Sequence, residues 1–476
     1  MRRHECCVDC LFSGDETIRR WPTSRRIVDS IRNFKPDKAR ARMRRYLPLL
    51  ALAMLHGVVD LWATMIEPLW PDLREHFGLV SVLALSAAFV LQSIPTSFTQ
   101  AVVGYVRDHR PSAWLVWLAP AVAITAMTSI GLTSNLAVVG VLLVVGGTAI
   151  GAFHPEAAVQ AGRSLPENRT RAMSIFMLGG ACGLASGPSI GRWIVWVWGL
   201  SALTVLPLPL LFIVVLVSWS AGLFRFADRQ DMDVSADAAT GVESRTTTSA
   251  SASGGVHLTG QQWRLVVFLL VICSLRVVPN VGLGKVLSFV LRQRGFGTAE
   301  IGQAQSIFLA SASLGMFLLA FRFPAGREKS FMVVCPLLGI PLVAALSWTA
   351  CPTPILLGLL VPTGLILWGT VPAMVSYAQQ LLPRSTGLAS GITMGMAWGT
   401  SGLLQAPVTA YFRTIDMPQA AFLAMVPCLL AAGLGATLLP ELSDQIAMSD
   451  EPETSSLPVE SQRSMPATIA AEGVET

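Results

Sequence analysis

Apolar residues recur in stretches of about twenty along nearly the whole chain, the length a helix needs to cross a hydrocarbon core of roughly 30 Å. Six such stretches lie at about 46–69, 79–105, 113–133, 136–159, 172–194 and 200–224. Six more follow at about 263–291, 301–321, 331–348, 354–381, 387–412 and 419–439. Runs such as 138–145 are apolar at every position rather than at alternate ones, so the pattern predicts helices and not barrel strands. Polar chain interrupts this pattern at residues 1–45, 225–262 and from Glu441 onward. These segments read as a disordered basic lead, a flexible Ser/Thr/Ala/Gly-rich linker and a disordered acidic tail.

Composition agrees. Of 476 residues, 53% are hydrophobic and only 13% charged, against about 25% charged in a soluble domain. A soluble enzyme, a disulfide scaffold, a coiled coil and a disordered chain are all excluded. The net charge of +5 is then a matter of topology, not of nucleic acid. With the N-terminus in the cytoplasm, the short inner loops hold nine basic residues: Arg107, Arg110, Arg163, Arg169, Arg171, Arg322, Arg327, Lys329 and Arg384. The outer loops hold four, Arg74, Arg292, Arg294 and Arg413, and residues 1–45 add thirteen more on the inner side. The positive-inside rule therefore predicts an inner (plasma) membrane protein with both termini cytoplasmic.

The linker divides the spans six and six. Residues 46–224 and 263–440 make halves of 179 and 178 residues, and Leu165-Pro166 and Leu382-Pro383 each precede a Gly-rich helix. Matched lengths and punctuation predict an all-α membrane protein of twelve helices in two pseudo-symmetric halves, the major facilitator design, with a site near the midplane.

Charged groups inside spans are the candidate chemistry, because each is penalised by about 2.5–3.5 kcal/mol near the bilayer centre. In the first span Asp60 and Glu67 lie roughly 40° and 20° from His56 around the helix, so the three share one stripe. Asp60 is either a proton-coupling carboxylate or a structural hydrogen-bond acceptor; Glu67, beside Pro68, favours the structural role. The fourth span ends in Phe153-His154-Pro155-Glu156, where a histidine and a carboxylate flank a proline that frees a carbonyl. In the seventh, Arg276 and, one turn on, Asn280 share a face near mid-membrane. Arg276 is either the counter-ion of a carboxylate such as Asp60 or a contact for an anionic substrate. Glycines 179, 183, 187 and 191 of the fifth span form a ridge for close helix packing. Cys6, Cys7 and Cys10 have no second ligand pair at zinc spacing, and no phosphate-binding loop appears, so neither a metal, a cofactor nor ATP hydrolysis is expected.

Two motifs carry a family resemblance. Gly183, Gly187, Pro188 and Gly191 resemble the fifth-helix motif of drug–proton antiporters, with Ser174 and Arg192 in place of its outer glycines. Gly104-Tyr105-Val106-Arg107-Asp108-His109-Arg110 resembles the loop motif between helices 2 and 3 of major facilitators, in which Asp108 would latch the cytoplasmic helix ends. More narrowly, residues 50–192 resemble the fosmidomycin-resistance transporters through His56-xxx-Asp60, Gln100-xxx-Gly104-xxx-Asp108, Phe153-His154-Pro155-Glu156-Ala157, Ser174-Ile175-Phe176, Gly179-Gly180 and Gly187-Pro188. Ala101 and Ala181 depart from that pattern.

The resemblance implies a non-enzymatic, monomeric, proton-coupled exporter of a small drug-like or anionic compound. On the same scaffold an importer or exporter of an organic-anion metabolite is the alternative, and a non-transporting sensor is a third. Costly buried charges in spans 1, 4 and 7 argue against the sensor.

Overall fold

The computed structural model describes residues 36–65, 69, 77, 82–110, 112–205, 207–220, 258–322, 326–348 and 350–442. Glu67, Cys6, Cys7, Cys10 and nearly all of the linker and the acidic tail lie outside the described residues.

The first half contains α1 (Pro36–Met65), α2 (Val82–His109), α3 (Leu115–Ser129), α4 (Leu136–Ser164), α5 (Arg169–Trp198) and α6 (Pro207–Ser220). The second contains α7 (Gly260–Gln293), α8 (Thr298–Arg322), α9 (Glu328–Leu346) and α10 (Thr353–Leu381). In α11 a π-helical turn, Ile392–Met396, joins Thr386–Gly391 to Ala397–Thr414, and α12 consists of Ala420–Leu423 and Val426–Thr437. Each predicted span has its helix. Among the described residues nine helices are long and apolar enough to cross a membrane; α2, α6 and α11 occupy the other three places.

One expectation is corrected. α1 starts at Pro36, ten residues before the predicted span, so part of the basic lead is helical. Proline suits the first helical position, and the Ala/Arg/Met run behind it has high helix propensity. Asn135 and Asn168 cap α4 and α5 by accepting from Ala137 N and Arg171 N, and Thr259 with Gln262 forms a capping box at α7.

The halves repeat one packing scheme. α1 lies along α5 as α7 lies along α11; α2 pairs with α4 as α8 pairs with α10; α3 contacts α6 as α9 contacts α12. Between halves α2 packs on α11 and α5 on α8. The outer surface carries exposed apolar side chains such as Val102, Val141, Phe212, Trp219 and Leu434, as lipid contact requires.

The glycine ridge explains the tightest pair. A Cβ at Gly179 would overlap the Ala53 carbonyl and one at Gly183 that of Gly57, while Gly187 and Gly191 face the Leu61 and Met65 carbonyls. Only bare backbone lets α5 come so close to α1. Pro188 lies inside α5, beside Gly187.

Candidate functional site

The α1–α5 contact fixes the site. Gly180 leaves a space that His56 and Asp60 fill: a Cβ there would lie 2.5 Å from His56 Cε1 and 2.6 Å from Asp60 Oδ2. The Phe176 ring stacks on His56 with centroids 4.1 Å apart, and Phe176 O lies 2.8 Å from His56 Nδ1. One helical turn brings Asp60 under His56, with Nε2 to Oδ2 at 3.2 Å. From α4, His154 Nε2 reaches Asp60 Oδ1 at 3.1 Å, while its Nδ1 lies 2.7 Å from Ile150 O.

The result is a carboxylate held between two imidazoles, all three residues buried. A backbone carbonyl only accepts, so each Nδ1 carries hydrogen and each Nε2 faces the carboxylate. Both carboxylate oxygens are occupied. One ligand atom from each of His56, Asp60 and His154 lies within 4.8 Å of the others, so these are also residues that could hold a metal ion. Spacing within one helix cannot show that α4 brings His154 to α1, so this grouping has no signal in the sequence.

Glu156 does not join this cluster. Fully buried, it accepts from Arg107 Nε at 3.1 Å, Ser112 Oγ at 2.9 Å and Gln160 Nε2 at 3.0 Å. Two residues along α4 reverse the side-chain direction, so His154 faces the site and Glu156 the helix ends.

At those ends the halves close on each other. Asp108 accepts from the backbone N–H groups of Gly387 and Leu388, both at 2.8 Å, at the start of α11. Gly104 permits this, since a Cβ there would overlap the Gly387 carbonyl. Asp108 therefore holds the N-terminus of α11, where unpaired N–H groups and the helix dipole favour a carboxylate. Arg110, part of the same motif, is exposed and makes no side-chain hydrogen bond or ion pair among the described residues. Arg107 makes them instead, to Glu156 and, at 3.4 Å, to Thr386 Oγ1. Sequence reasoning also missed Thr170, Glu328 and Gln379. Gln379 reaches across to Ala158 O at 3.2 Å, and Thr170 to Glu328 at 2.6 Å.

Arg276 sits apart from Asp60. Only 2% exposed, it donates to Leu367 O and lies 4.0 Å from Met374 Sδ, with no carboxylate partner among the described residues. Asp60 is already taken by two histidines. Asn280 is buried one turn further on, with both amide atoms unpartnered among the described residues. Trp368, next to Leu367, likewise buries an unpaired Nε1 and packs on Trp398 at 5.2 Å. Near the middle of the second half, a buried guanidinium thus lies in the same helical bundle as buried polar atoms that have no partner among the described residues.

Known proteins resemble this architecture. Residues 52–406 match the model of the Major Facilitator Superfamily. The chain is 24% identical over 369 residues to the Fosmidomycin resistance protein of Escherichia coli (strain K12), covering 74% of this chain and 83% of that one. It is 26% identical over 423 residues to the uncharacterized MFS-type transporter YfnC of Bacillus subtilis (strain 168), covering 84% and 94%. The fucose:proton symporter FucP of E. coli superposes with a TM-score of 0.62 at 12% identity, covering 83% of this chain and 99% of that one, which is a likeness of fold. With twelve helices in two matched halves and a family match over most of its length, the chain belongs to the Major Facilitator Superfamily, as a non-enzymatic, multi-pass secondary transporter.

Proposed function

We propose that this transporter is proton-coupled and exports a small drug-like or anionic compound by alternating access. The observation that carries the proposal is Asp60 held between His56 and His154. A buried carboxylate shared by two imidazoles is a site whose charge changes with each proton, so its protonation can bias one conformation over another. The likeness to the Fosmidomycin resistance protein supports the choice of export and of substrate. The nine basic residues of the short loops between helices 2–3, 4–5, 8–9 and 10–11 support a cytoplasmic placement of the end sealed by Asp108 and of both termini. On that placement the conformation described is sealed towards the cytoplasm.

A second reading, transport of an organic-anion metabolite in either direction, is favoured by Arg276. A buried guanidinium without a carboxylate leaves a positive charge for a substrate to meet. Full-length protein in proteoliposomes tests both. An imposed pH gradient is followed with an entrapped pH dye while anionic and lipophilic compounds are added in turn. Dissipation of the gradient by one compound class, lost in Asp60→Asn, is the expected result. Flux that ignores the pH gradient for every compound would overturn proton coupling.

A further inference from the structure

We propose that His56, Asp60 and His154 form a binding site for a divalent transition-metal ion of the zinc class. The proposal goes beyond the proton-coupled reading and does not need it, because binding of an ion is followed without transport.

The donor set comes first. Two imidazole nitrogens and a carboxylate suit Zn2+ and its neighbours in the first transition row, whereas Mg2+ and Ca2+ prefer shells made of oxygen alone. The rings are already turned for the task. His56 Nδ1 lies 2.8 Å from Phe176 O and His154 Nδ1 lies 2.7 Å from Ile150 O, so each Nδ1–H donates to a main-chain carbonyl. A neutral ring held this way points the lone pair of Nε2 at Asp60. Metal-ligating histidines are fixed in the same manner, with the second nitrogen donating to a carbonyl that sets tautomer and direction.

Distances agree with the donors. His56 Nε2 lies 3.2 Å from Asp60 Oδ2, and His154 Nε2 lies 3.1 Å from Asp60 Oδ1. Adjacent ligands of a four-coordinate zinc ion, each about 2.0–2.2 Å from it, stand about 3.3 Å apart. The nitrogen–oxygen edges of the cluster therefore have nearly the length that such an ion imposes. One ligand atom from each residue lies within 4.8 Å of the others, so the remaining gap closes by turning side chains and not by shifting helices. Neutral rings alone would aim two lone pairs at two carboxylate oxygens, and a single divalent ion satisfies all of them at once. The Phe176 ring, 4.1 Å from that of His56, and the Phe153 ring, 6.2 Å from it, wall the cluster with apolar surface. Such a wall keeps water out and strengthens the pull between ion and carboxylate. Both α1 and α4 belong to the first half, so the ion ties two helices of one half together and leaves the seal at Asp108 free.

Cobalt is the probe, because Co2+ takes the place of zinc and its visible absorption reports its coordination number. Full-length protein without a polyhistidine tag, carrying Cys6→Ser, Cys7→Ser and Cys10→Ser so that no N-terminal thiol competes, is placed in lipid nanodiscs and titrated with Co2+. One ion per chain should bind with the strong visible bands of a four-coordinate site. Zn2+ should displace it, and Mg2+ should not. Loss of a ligand in His154→Gln should weaken binding by about 100-fold or more. His56→Gln should do the same, and it serves where the first variant does not fold. Zn2+ should also raise the unfolding temperature of the parent protein but not of the histidine variants. Absence of binding, binding unchanged in a folded histidine variant, or displacement by Mg2+ would overturn the site. Proton coupling is judged separately by the liposome flux, so the failure of one is distinguishable from the failure of the other.

Discussion

Thr170 in α5 donates its hydroxyl hydrogen to Glu328 Oε1 at the start of α9, at 2.6 Å, across the boundary between the halves. Ser376 Oγ lies 2.8 Å from the same hydroxyl, and Gln380 Nε2 donates to Glu328 Oε1 at 3.2 Å. The pairing is the pseudo-symmetric counterpart of Asp108. One acidic residue, at the end of α2, holds the start of α11, and the other, at the start of α9, holds the start of α5. Both bonds join surfaces that must part if this end opens, so they belong to the conformational equilibrium more than to folding.

Thr170→Val should therefore open the sealed end without unfolding the chain. The substitution keeps volume and leaves a buried carboxylate short of a donor, a loss of about 1–3 kcal/mol. Spin labels on the α4–α5 and α8–α9 loops would report it as a larger population of long distances. Unchanged distance distributions in Thr170→Val would remove Glu328 from the closing contact.

Asp108 predicts a pH effect of definite sign. Burial pushes its carboxyl up from the ordinary 3.8, outweighing the opposing pulls of the Leu388 and Gly387 N–H groups and of Arg107. Once this end opens, water returns the group towards its ordinary value. Protons therefore bind the closed form more tightly, and closure strengthens as pH falls through the raised value towards 3.8. In Asp108→Asn this acid strengthening should vanish. Cysteine accessibility at the start of α11, measured across the acid range in both proteins, checks it, and equal pH dependence would refute it.

Glycines on two interfaces should fail in different ways. Gly183→Ala pushes a methyl group into the Gly57 carbonyl inside the first half, so it should destabilise the protein by about 1–3 kcal/mol. Gly104→Ala pushes one into Gly387, across the boundary between halves. Its strain is relieved by opening, so it should change accessibility at the sealed end and leave the thermal transition nearly in place. Thermal unfolding and labelling rates together separate the two. A large fall in the unfolding temperature of Gly104→Ala would contradict the distinction.

Much of this could be read from the sequence, and the misses share a cause. His56 and Asp60 were legible because helical spacing puts them on one stripe. The 179–191 glycine ridge was legible because i+4 spacing needs no knowledge of the partner helix. What spacing within one helix cannot give is which helices meet. That hid the arrival of His154 at Asp60 and left Arg276 with two candidate roles. Glu156 was grouped with His154 by closeness in sequence, yet it points to Arg107. The same blindness hides which of Arg107 and Arg110 reaches Glu156, since the two lie three residues apart near a helix end where a small rotation decides which side chain is exposed. Thr170 and Glu328 lie in the first turns of α5 and α9, ahead of the apolar stretches, where periodicity gives no signal.

The last prediction separates Asp60 from Arg276. Asp60→Asn keeps the shape of the side chain but removes its charge and one of the two oxygens that face the imidazole Nε2 atoms. Gradient-driven flux should be lost, while exchange of substrate across the membrane without a pH gradient continues, because exchange does not require the proton to be released. Arg276→Ala should act differently. It deletes a buried charge whose partners are Leu367 O and Met374, so it should weaken binding of an anionic compound and leave the pH dependence of the remaining flux unchanged. Two residues that form no ion pair should show additive losses, within about 0.5 kcal/mol, when binding is compared in the single and double variants. A coupling energy well above that would mean that Asp60 and Arg276 meet in another conformation, and that the two histidines hold Asp60 only in this one.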